Sequence, residues 1–249
     1  MKRETLRGRR VRDGEEVEFV ELAPETPEDE EGMELLDRLG VISRGDTFAE
    51  QREHDRLVEK RREEIRHQAR NPDSSKIGFE RMRRAHIPLA HHWLHTPHVA
   101  RWWYDDVGPY EEVEKRYAAY IEGKEPVEPF LILHGELPIG YIQTYRVSDD
   151  EECNRLIGIE DSAGVDLFIG EEEFLYRGLG ALIIRRFLEE VVFADESIEV
   201  CVIDPEPENR AAIRAYEKAG FRYFKTIHVP GESAPAHLMK LPRKEFFGE

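Results

Sequence analysis

The chain has 249 residues, 40% of them hydrophobic and 36% charged, and its 53 acidic against 36 basic side chains give a formal net charge of −17. The apolar content is enough for a packed core, whereas the negative charge argues against nucleic acid as a ligand because phosphates would be repelled. No apolar run approaches the roughly 18 residues of a membrane-spanning helix, so we expect no membrane partner.

Residues 1–75 are predicted to be a charged, partly helical extension. Residues 21–34 are acidic and hold two prolines, and residues 48–70 form a charged helical stretch that is either exposed or docked by a narrow apolar stripe. Residues 71–75 are typical of a linker. The N-terminus lacks a signal-peptide pattern and the two cysteines lack metal-ligand spacing, so we expect a cytoplasmic setting and no metal site.

Residues 76–249 are predicted to form one globular domain. Helices are expected at residues 87–94, 99–104, 111–122, 179–192 and 209–219. Strands are expected at residues 77–82, 130–133, 139–147, 165–169, 198–203, 221–229 and 236–240. Strands that alternate with helices, together with a hairpin at residues 134–136, indicate an α/β fold with a mixed sheet.

Residues 104–173 concentrate acidic side chains, with 19 Asp and Glu against 5 Lys and Arg, a local net charge of −14. Clustered carboxylates raise the local concentration of cations, which favours a polycationic substrate. A solvated acidic surface that serves solubility explains the same pattern, and charge alone does not separate the two interpretations.

Aromatic and polar residues that suit a cationic sugar lie close to this acidic stretch. Trp102, Trp103 and Tyr104 directly precede it. Aromatic faces beside carboxylates bind aminosugar rings and cations, although core packing is the alternative, and we expect one tryptophan in each role. Gln143 and Tyr145 are two residues apart in a predicted strand, so they share one face of the sheet.

A glycine turn between a strand and a helix is the most informative motif. Residues 164–170 form the strand pattern, residues 177–180 (Arg-Gly-Leu-Gly) form the turn, and an apolar helix follows. The first N–H groups of a helix lack internal partners, and glycine lets a phosphate approach them. Ala181 replaces the Lys of a P-loop, and Ile183 replaces the third glycine of a dinucleotide fingerprint, which excludes both motifs. A glycine turn that merely caps a core helix is the alternative.

Residues 204–221 carry a recognisable family pattern. They contain Asn-Arg-Ala-Ala and Tyr-Glu-Lys-Ala-Gly-Phe and resemble the closing half of the GNAT acyl-CoA N-acyltransferase fold, and residues 177–180 resemble that family's pyrophosphate loop, with Leu175 in place of the usual Gln or Arg. Within the superfamily, the resemblance is to aminoglycoside 6′-N-acetyltransferases and spans residues 76–246. It rests on Trp102-Trp103, Gly140-Tyr141-Ile142-Gln143-Thr144-Tyr145, Gly164-Val165-Asp166 and Asp204-Pro205 followed by Asn209.

The resemblance implies an acetyltransferase that uses acetyl-CoA and acetylates a primary amine of a small polycationic molecule, above all an aminoglycoside 6′-amine, by direct attack in a ternary complex. It leaves a homodimer open. The implied cofactor-binding groups are the backbone of Leu167, Phe168 and Ile169, the turn Tyr176, Arg177, Gly178, Leu179, Gly180 and Ala181, and the side chain of Asn209, for which a plain helix cap is the alternative.

Two residues are candidates for catalysis. Asp166 is the candidate general base, because a carboxylate inside an apolar strand is costly unless it is paired or its chemistry is used, and the resemblance implies the same role. Tyr216 is the candidate general acid for the departing thiolate, with a core tyrosine as the alternative. Glu160, Asp161 and Asp204 are candidates for holding further ammonium groups, with solvated or turn positions as their alternatives.

Two other hypotheses remain open. Residues 91–93 (His-His-Trp) and 97–99 (Pro-His-Val) are similar to siderophore-biosynthetic N-acyltransferases, which acylate hydroxylamines. His91 and His95 share a helix face, but zinc would need a third ligand. A non-catalytic acyl-CoA-binding module is the last hypothesis, and the glycine turn together with the two candidate catalytic residues speaks against it.

Overall fold

The computed structural model describes residues 6–12, 15–21, 48–228 and 235–248. Its helices are α1 (Phe48–Arg70), α2 (Ile87–Leu94), α3 (Pro97–Ala100), α4 (Tyr110–Ile121), α5 (Glu151–Ile157), α6 (Leu179–Phe187), α7 (Arg210–Ala219) and α8 (Arg243–Phe247). Its strands are β1 (Leu6–Arg12), β2 (Glu15–Glu21), β3 (Ile77–Arg81), β4 (Val127–His134), β5 (Leu137–Arg146), β6 (Ser162–Ile169), β7 (Val200–Ile203), β8 (Arg222–Ile227) and β9 (Ala236–Pro242). The acidic stretch beyond Glu21 and the predicted strand end at Val229 lie outside the described residues.

Seven of these strands form one sheet, in the order β3-β4-β5-β6-β7-β9-β8. Neighbouring strands are antiparallel except β6 and β7, which run parallel. β1 and β2 pair with each other in a separate two-stranded sheet. This architecture confirms the predicted α/β class with a mixed sheet.

β6 and β7 part after a short contact. Their register pairs residues 162–164 with residues 200–202, and β7 ends at Ile203. Across the described residues, the rest of β6 pairs with β5 on one side and with no strand on the other. The sheet is therefore split beside the C-terminal half of β6, and backbone groups at this edge need a partner other than a strand.

The two faces of β6 belong to different cores. Val165 is buried in the main core together with Phe187 of α6. Phe168 is buried in a second core with Trp93 of α2. Because side chains alternate along a strand, Asp166 lies on the same face as Phe168. The candidate base therefore lies on the face of the sheet opposite to α6.

Helix α1 docks on the main core by a narrow stripe. Among its described side chains, Ile65 and Ala69 are buried in that core, while most of the others are exposed. The structure thus has the second of the two arrangements that the sequence left open. The domain division at residue 75 stays a prediction.

Three helices differ from the sequence prediction. Helix α3 spans Pro97–Ala100 rather than residues 99–104. Helix α5 was not predicted, because it has seven residues and lies in the acidic stretch with little apolar periodicity; its cap is Asp150, whose carboxylate accepts the N–H of Cys153 over 2.8 Å. Helix α6 ends at Phe187 rather than at residue 192, and Leu188–Val192 continues as a π turn.

Gly170, which follows β6, lies against the indole of Trp93. A Cβ at Gly170 would lie 2.3 Å from that ring, whereas a Cβ at Gly78 in β3 would meet nothing within 4 Å. We expect Gly170→Ala to lower the free energy of unfolding by about 1–3 kcal/mol through overpacking, and Gly78→Ala, the control, to change it little. Urea unfolding of both variants measures the difference, and equal midpoints would contradict this close packing.

Candidate active site

Two grooves meet at the middle of β5 and β6. The aromatic groove has a volume of about 350 Å³ and is lined by Trp102, Trp103, Tyr104, Asp106, Leu167, Asp204, Glu206, Asn209 and Tyr216, among others. The acidic groove has a volume of about 710 Å³ and is lined by Glu112, Lys115, Arg116, Glu125, Arg146, Asp149, Asp150 and Cys153, among others. Both grooves share Gln143, Tyr145 and Asp166. These three residues face two spaces at once, as the transfer of a group between two bound molecules requires.

A chain of hydrogen bonds orients the carboxylate of Asp166. Gln143 Nε2 donates to Asp166 Oδ2 over 2.9 Å. The hydroxyl of Tyr141 donates to Gln143 Oε1 over 2.6 Å, and Tyr141 is fully buried. Tyr141 therefore fixes the amide of Gln143, and this amide holds the carboxylate of Asp166 in one direction.

Two phenols near this carboxylate stay protonated. The charge of Asp166 is the largest cause that raises the pKa of Tyr145 well above its usual value, and burial adds to it. Burial raises the pKa of Tyr216, and the charges of Asp166 and Asp204 raise it further. At neutral pH both hydroxyl groups keep their protons and are available as donors.

The linings of the two grooves carry eight carboxylates against three cationic side chains. Two of the cations are already paired, Arg116 with Asp106 and Arg146 with Asp195. Among the described residues that line the aromatic groove, none is basic. The surplus of negative charge favours a cationic ligand.

The two cysteines are poor nucleophiles at neutral pH. Cys153 lines the acidic groove, and burial, with the nearby charges of Asp150 and Asp204, raises its pKa to about 11. Cys201 is fully buried. Because the thiolate is the reactive form, neither side chain is suited to carry an acyl group.

Backbone groups of β6 alternate between β5 and the split in the sheet. The N–H of Gly170 donates to the carbonyl of Ile139 over 2.8 Å. In an antiparallel ladder, every second residue exchanges hydrogen bonds with a given neighbouring strand. The bond of Gly170 therefore indicates that even-numbered residues of β6, such as Phe168, bond to β5. The peptide groups of Leu167 and Ile169 consequently face the split.

One of these edge groups is already engaged. His98 Nε2 donates to the carbonyl oxygen of Ile169 over 3.1 Å. The same alternation assigns the N–H and C=O of Leu167 and the N–H of Ile169 to the open edge of β6.

The turn before α6 presents a bare helix N-terminus. Gly178 precedes the helix with a φ of 77° and no side-chain cap, and a Cβ there would meet nothing within 4 Å. Tyr176 also has a positive φ, 58°, and is 90% exposed. Gly180 also has a packing role, because a Cβ there would lie 3.2 Å from that of Ala215, so the glycine lets α6 and α7 pack closely. The N–H groups of residues 178–181 form a suitable anion site.

Asn209 caps a helix and also lies on the wall of a groove. Its Oδ1 accepts the N–H of Ala212 over 3.2 Å, which caps α7. The same side chain lines the aromatic groove.

The two tryptophans of the aromatic groove make different contacts. Trp103 packs edge-on against Tyr141 and Phe168, with ring centroids 5.9 and 5.0 Å apart. Trp102 is only partly buried, and the guanidinium of Arg101 lies 4.7 Å from the centroid of its ring. Both side chains are partly buried and both line the aromatic groove, so the division into one core tryptophan and one ligand-facing tryptophan stays a prediction.

Two of the predicted substrate-binding residues are not brought to the grooves. Glu160 and Asp161 are exposed in the turn before β6 and line neither groove. The reason is distance, because the five residues from Asp161 to Asp166 span about 16 Å of extended strand. The side chain of Phe168 lies on the same face of β6 as Asp166, but its ring is buried in the second core, where it packs against Trp93 and Trp103.

Several acidic residues of the site were not singled out from the sequence, namely Asp106, Glu112, Glu125, Asp149, Asp150 and Glu206. All of them except Glu206 fall in the acidic stretch 104–173, which was the available signal. The spacing within that stretch does not tell which carboxylates converge.

Comparisons with known proteins identify the family. Residues 83–229 match the family described as acetyltransferase (GNAT) domain. The chain belongs to the GNAT acetyltransferase family. Aminoglycoside N(6′)-acetyltransferase type 1 from Klebsiella pneumoniae is 32% identical over 169 residues, which cover 64% of this chain and 80% of that protein. Lysine N-acyltransferase MbtK from Mycobacterium sp. (strain MCS) is 25% identical over 128 residues, 51% of this chain and 52% of that protein.

Solved structures agree with this GNAT assignment. Aminoglycoside acetyltransferase AAC(6′)-Ib in complex with coenzyme A is 26% identical, with a TM-score of 0.61 over 69% of this chain and 98% of that chain. Its complex with coenzyme A and kanamycin gives a TM-score of 0.60 at the same identity and coverage. Spermidine N-acetyltransferase from Vibrio cholerae, at 17% identity and a TM-score of 0.56 over 70% of this chain and 99% of that chain, shares the fold.

The GNAT assignment confirms the predicted superfamily, the acetyltransferase class and acetyl-CoA as the cofactor. In the described residues, no helix has the length and apolar character needed to cross a membrane.

Asp204, which follows β7, gives a test of the electrostatics. Burial raises the pKa of its carboxyl group above the usual 3.8. The folded state therefore holds this proton more tightly than the unfolded state, and stability is lost as the pH rises through the folded pKa. We expect Asp204→Asn to raise the melting temperature at neutral pH, and the gain to shrink as the pH falls toward about 4. Thermal unfolding across this range measures it, and a lower melting temperature at neutral pH would contradict it.

Proposed function

We propose that this protein transfers an acetyl group from acetyl-CoA to a primary amine of a small polycationic molecule, with an aminoglycoside 6′-amine as the acceptor that fits best. The observation that carries the proposal is the position of Asp166, where the aromatic groove meets the acidic groove. Relatives named aminoglycoside 6′-N-acetyltransferase, at 32% identity, support the same acceptor.

Two regions of the site fit coenzyme A. The edge groups of Leu167 and the N–H of Ile169 suit the amides of the pantetheine arm, which would extend β6 as an added strand does. The N–H groups of residues 178–181 suit the pyrophosphate, since Gly178 leaves open space above them. Asn209 adds a side-chain amide on the wall of the aromatic groove. When bound, acetyl-CoA supplies an acetyl group already activated as a thioester.

Asp166 serves as the base in this proposal. An alkyl ammonium is protonated at neutral pH and has no lone pair, so it must lose a proton before its nitrogen can form a bond to carbon. The carboxylate of Asp166 receives this proton, and Gln143 holds it in the direction of the shared space. The acidic groove guides the ammonium to it and orients the remaining charges of the acceptor.

Tyr216 serves as the donor. Its hydroxyl keeps its proton because burial and the charge of Asp166 raise its pKa. It lines the aromatic groove with Asp166, and from there it can donate to the sulfur that must leave as a thiol. Tyr145, which lines both grooves, is a second donor within the shared space.

The hydroxylamine alternative has less support. It depended on the histidines at residues 91, 92 and 98, and none of these lines either groove. His98 is bonded to the carbonyl of Ile169 instead, and His91 and His92 lie on α2. The lysine N-acyltransferase relative matches at a lower identity, 25%.

Release of free thiol from acetyl-CoA, measured against a panel of acceptors, tests the proposal. We expect kanamycin and tobramycin to be faster than spermidine and N-hydroxylysine, and the KM for the aminoglycoside to rise with ionic strength, because salt screens the acidic groove. Fastest turnover with N-hydroxylysine would favour the siderophore-type alternative. Binding of coenzyme A without turnover of any amine would favour a binding module.

Replacement of the base tests the mechanism. We expect Asp166→Asn to lower kcat by about 10²–10⁴-fold, with little change in the KM for acetyl-CoA, because the cofactor is held by backbone groups elsewhere. Asp149→Asn is the control, since Asp149 lines the acidic groove but not the shared space; it should raise the KM for the amine and leave kcat nearly unchanged. Equal kcat values for the two variants would remove Asp166 from the mechanism.

A further inference from the structure

Residues 169–178 join the two halves of the proposed cofactor site. They run from the end of β6 to the start of α6. The open strand edge lies at one end of this connecting segment, and the bare helix N-terminus lies at the other. A cofactor that binds both ends requires a fixed distance between them, so whatever holds the connecting segment also sets cofactor affinity.

A buried ion pair ties α1 to the connecting segment. Arg61 Nη2 lies 2.5 Å from Glu171 Oε1, and the two side chains are 11% and 13% exposed. Trp93 Nε1 donates to the same carboxylate oxygen over 3.1 Å. Glu171 is therefore held by α1 and α2 together.

Other contacts hold the connecting segment on both sides of this ion pair. Before it, His98 donates to the carbonyl of Ile169. After it, the ring of Phe174 is fully buried, and its centroid lies 5.3 Å from that of His134. His134 Nδ1 in turn lies 2.6 Å from the amide oxygen of Gln68 on α1. Helix α1 therefore supports the segment directly at Glu171 and, through His134, at Phe174.

The ion pair is not explained by stability. Burial lowers the pKa of Arg61 and raises that of Glu171, so desolvation disfavours both charges. Within the described residues, Arg61 Nε is buried without a hydrogen-bond partner. Apolar residues of similar volume stabilise a protein as well as such a pair does, or better. The ion pair instead fixes the position of the Glu171 carboxylate, which apolar packing would not do.

We propose that Arg61 is a positioning residue for acetyl-CoA, which acts through Glu171 to set the spacing between the open edge of β6 and the N-terminus of α6. The inference rests on the proposed cofactor site. It gives the charged N-terminal region a role, because α1 lies outside residues 83–229, the part that matches the family.

The double variant Arg61→Met/Glu171→Gln tests the role. It removes both charges, so no unpaired buried charge opposes folding, and the glutamine keeps an acceptor for Trp93. We expect the KM for acetyl-CoA to rise by about tenfold and kcat at saturation to change by less than about twofold. The control is Arg66→Met/Glu59→Gln, which removes an ion pair on the same helix with side chains 51% and 55% exposed and should change neither constant.

The outcomes separate this inference from the proposed function. An unchanged KM for acetyl-CoA in the folded double variant overturns the role of Arg61. If that variant does not fold, Arg61→Lys, which keeps the charge on a different head group, decides: an intermediate KM supports the role, and a wild-type KM overturns it. If the wild-type protein does not bind coenzyme A in calorimetry, the proposed cofactor site fails, and the inference fails with it.

Discussion

The parting of β6 from β7 is the constraint on which the site depends. A strand inside a sheet normally has both edges satisfied, but β6 meets β7 at residues 162–164 alone. β7 is short because Asp204-Pro205 follows it, and proline has no N–H to donate to a continuing ladder. The remaining edge of β6 then presents backbone donors and acceptors to a gap in the middle of the protein, a position where a ligand, rather than solvent, can satisfy them.

The same parting makes room for a carboxylate in the sheet. Asp166 occupies a strand position of the kind usually given to an apolar side chain, yet it faces open space on the side away from α6. Its bond from Gln143, backed by Tyr141, offsets part of the free energy lost on burial. One arrangement of three side chains on neighbouring strands therefore both stabilises the buried carboxylate and orients it toward the grooves.

The sequence predicted those parts of the site that depend on local chemistry. Asp166 was identified because a carboxylate is unusual in an apolar strand, and Gly178 because a glycine turn precedes α6. Their roles as base and as part of the pyrophosphate site remain predictions, with which the geometry agrees. Those parts of the site that depend on contacts between residues far apart in the chain could not be predicted from the sequence. Glu160 and Asp161 are near Asp166 in the chain but far from it along an extended strand, and the tie between Arg61 and Glu171 joins residues 110 positions apart. The packing reason for a glycine at residue 180 could not be predicted either, because it lies in Ala215, a residue of another helix.

The protonation of the Cys153 thiol determines whether this side chain can take part in side reactions at the site. A cysteine thiolate near a thioester can take its acyl group and release the free thiol of the donor. This side reaction would modify the protein and waste the donor. Here burial, together with the carboxylates of the acidic groove, keeps the proton on this sulfur, whose pKa is raised to about 11. The negative charge that favours a cationic ligand in the groove therefore adds to burial in keeping this thiol unreactive.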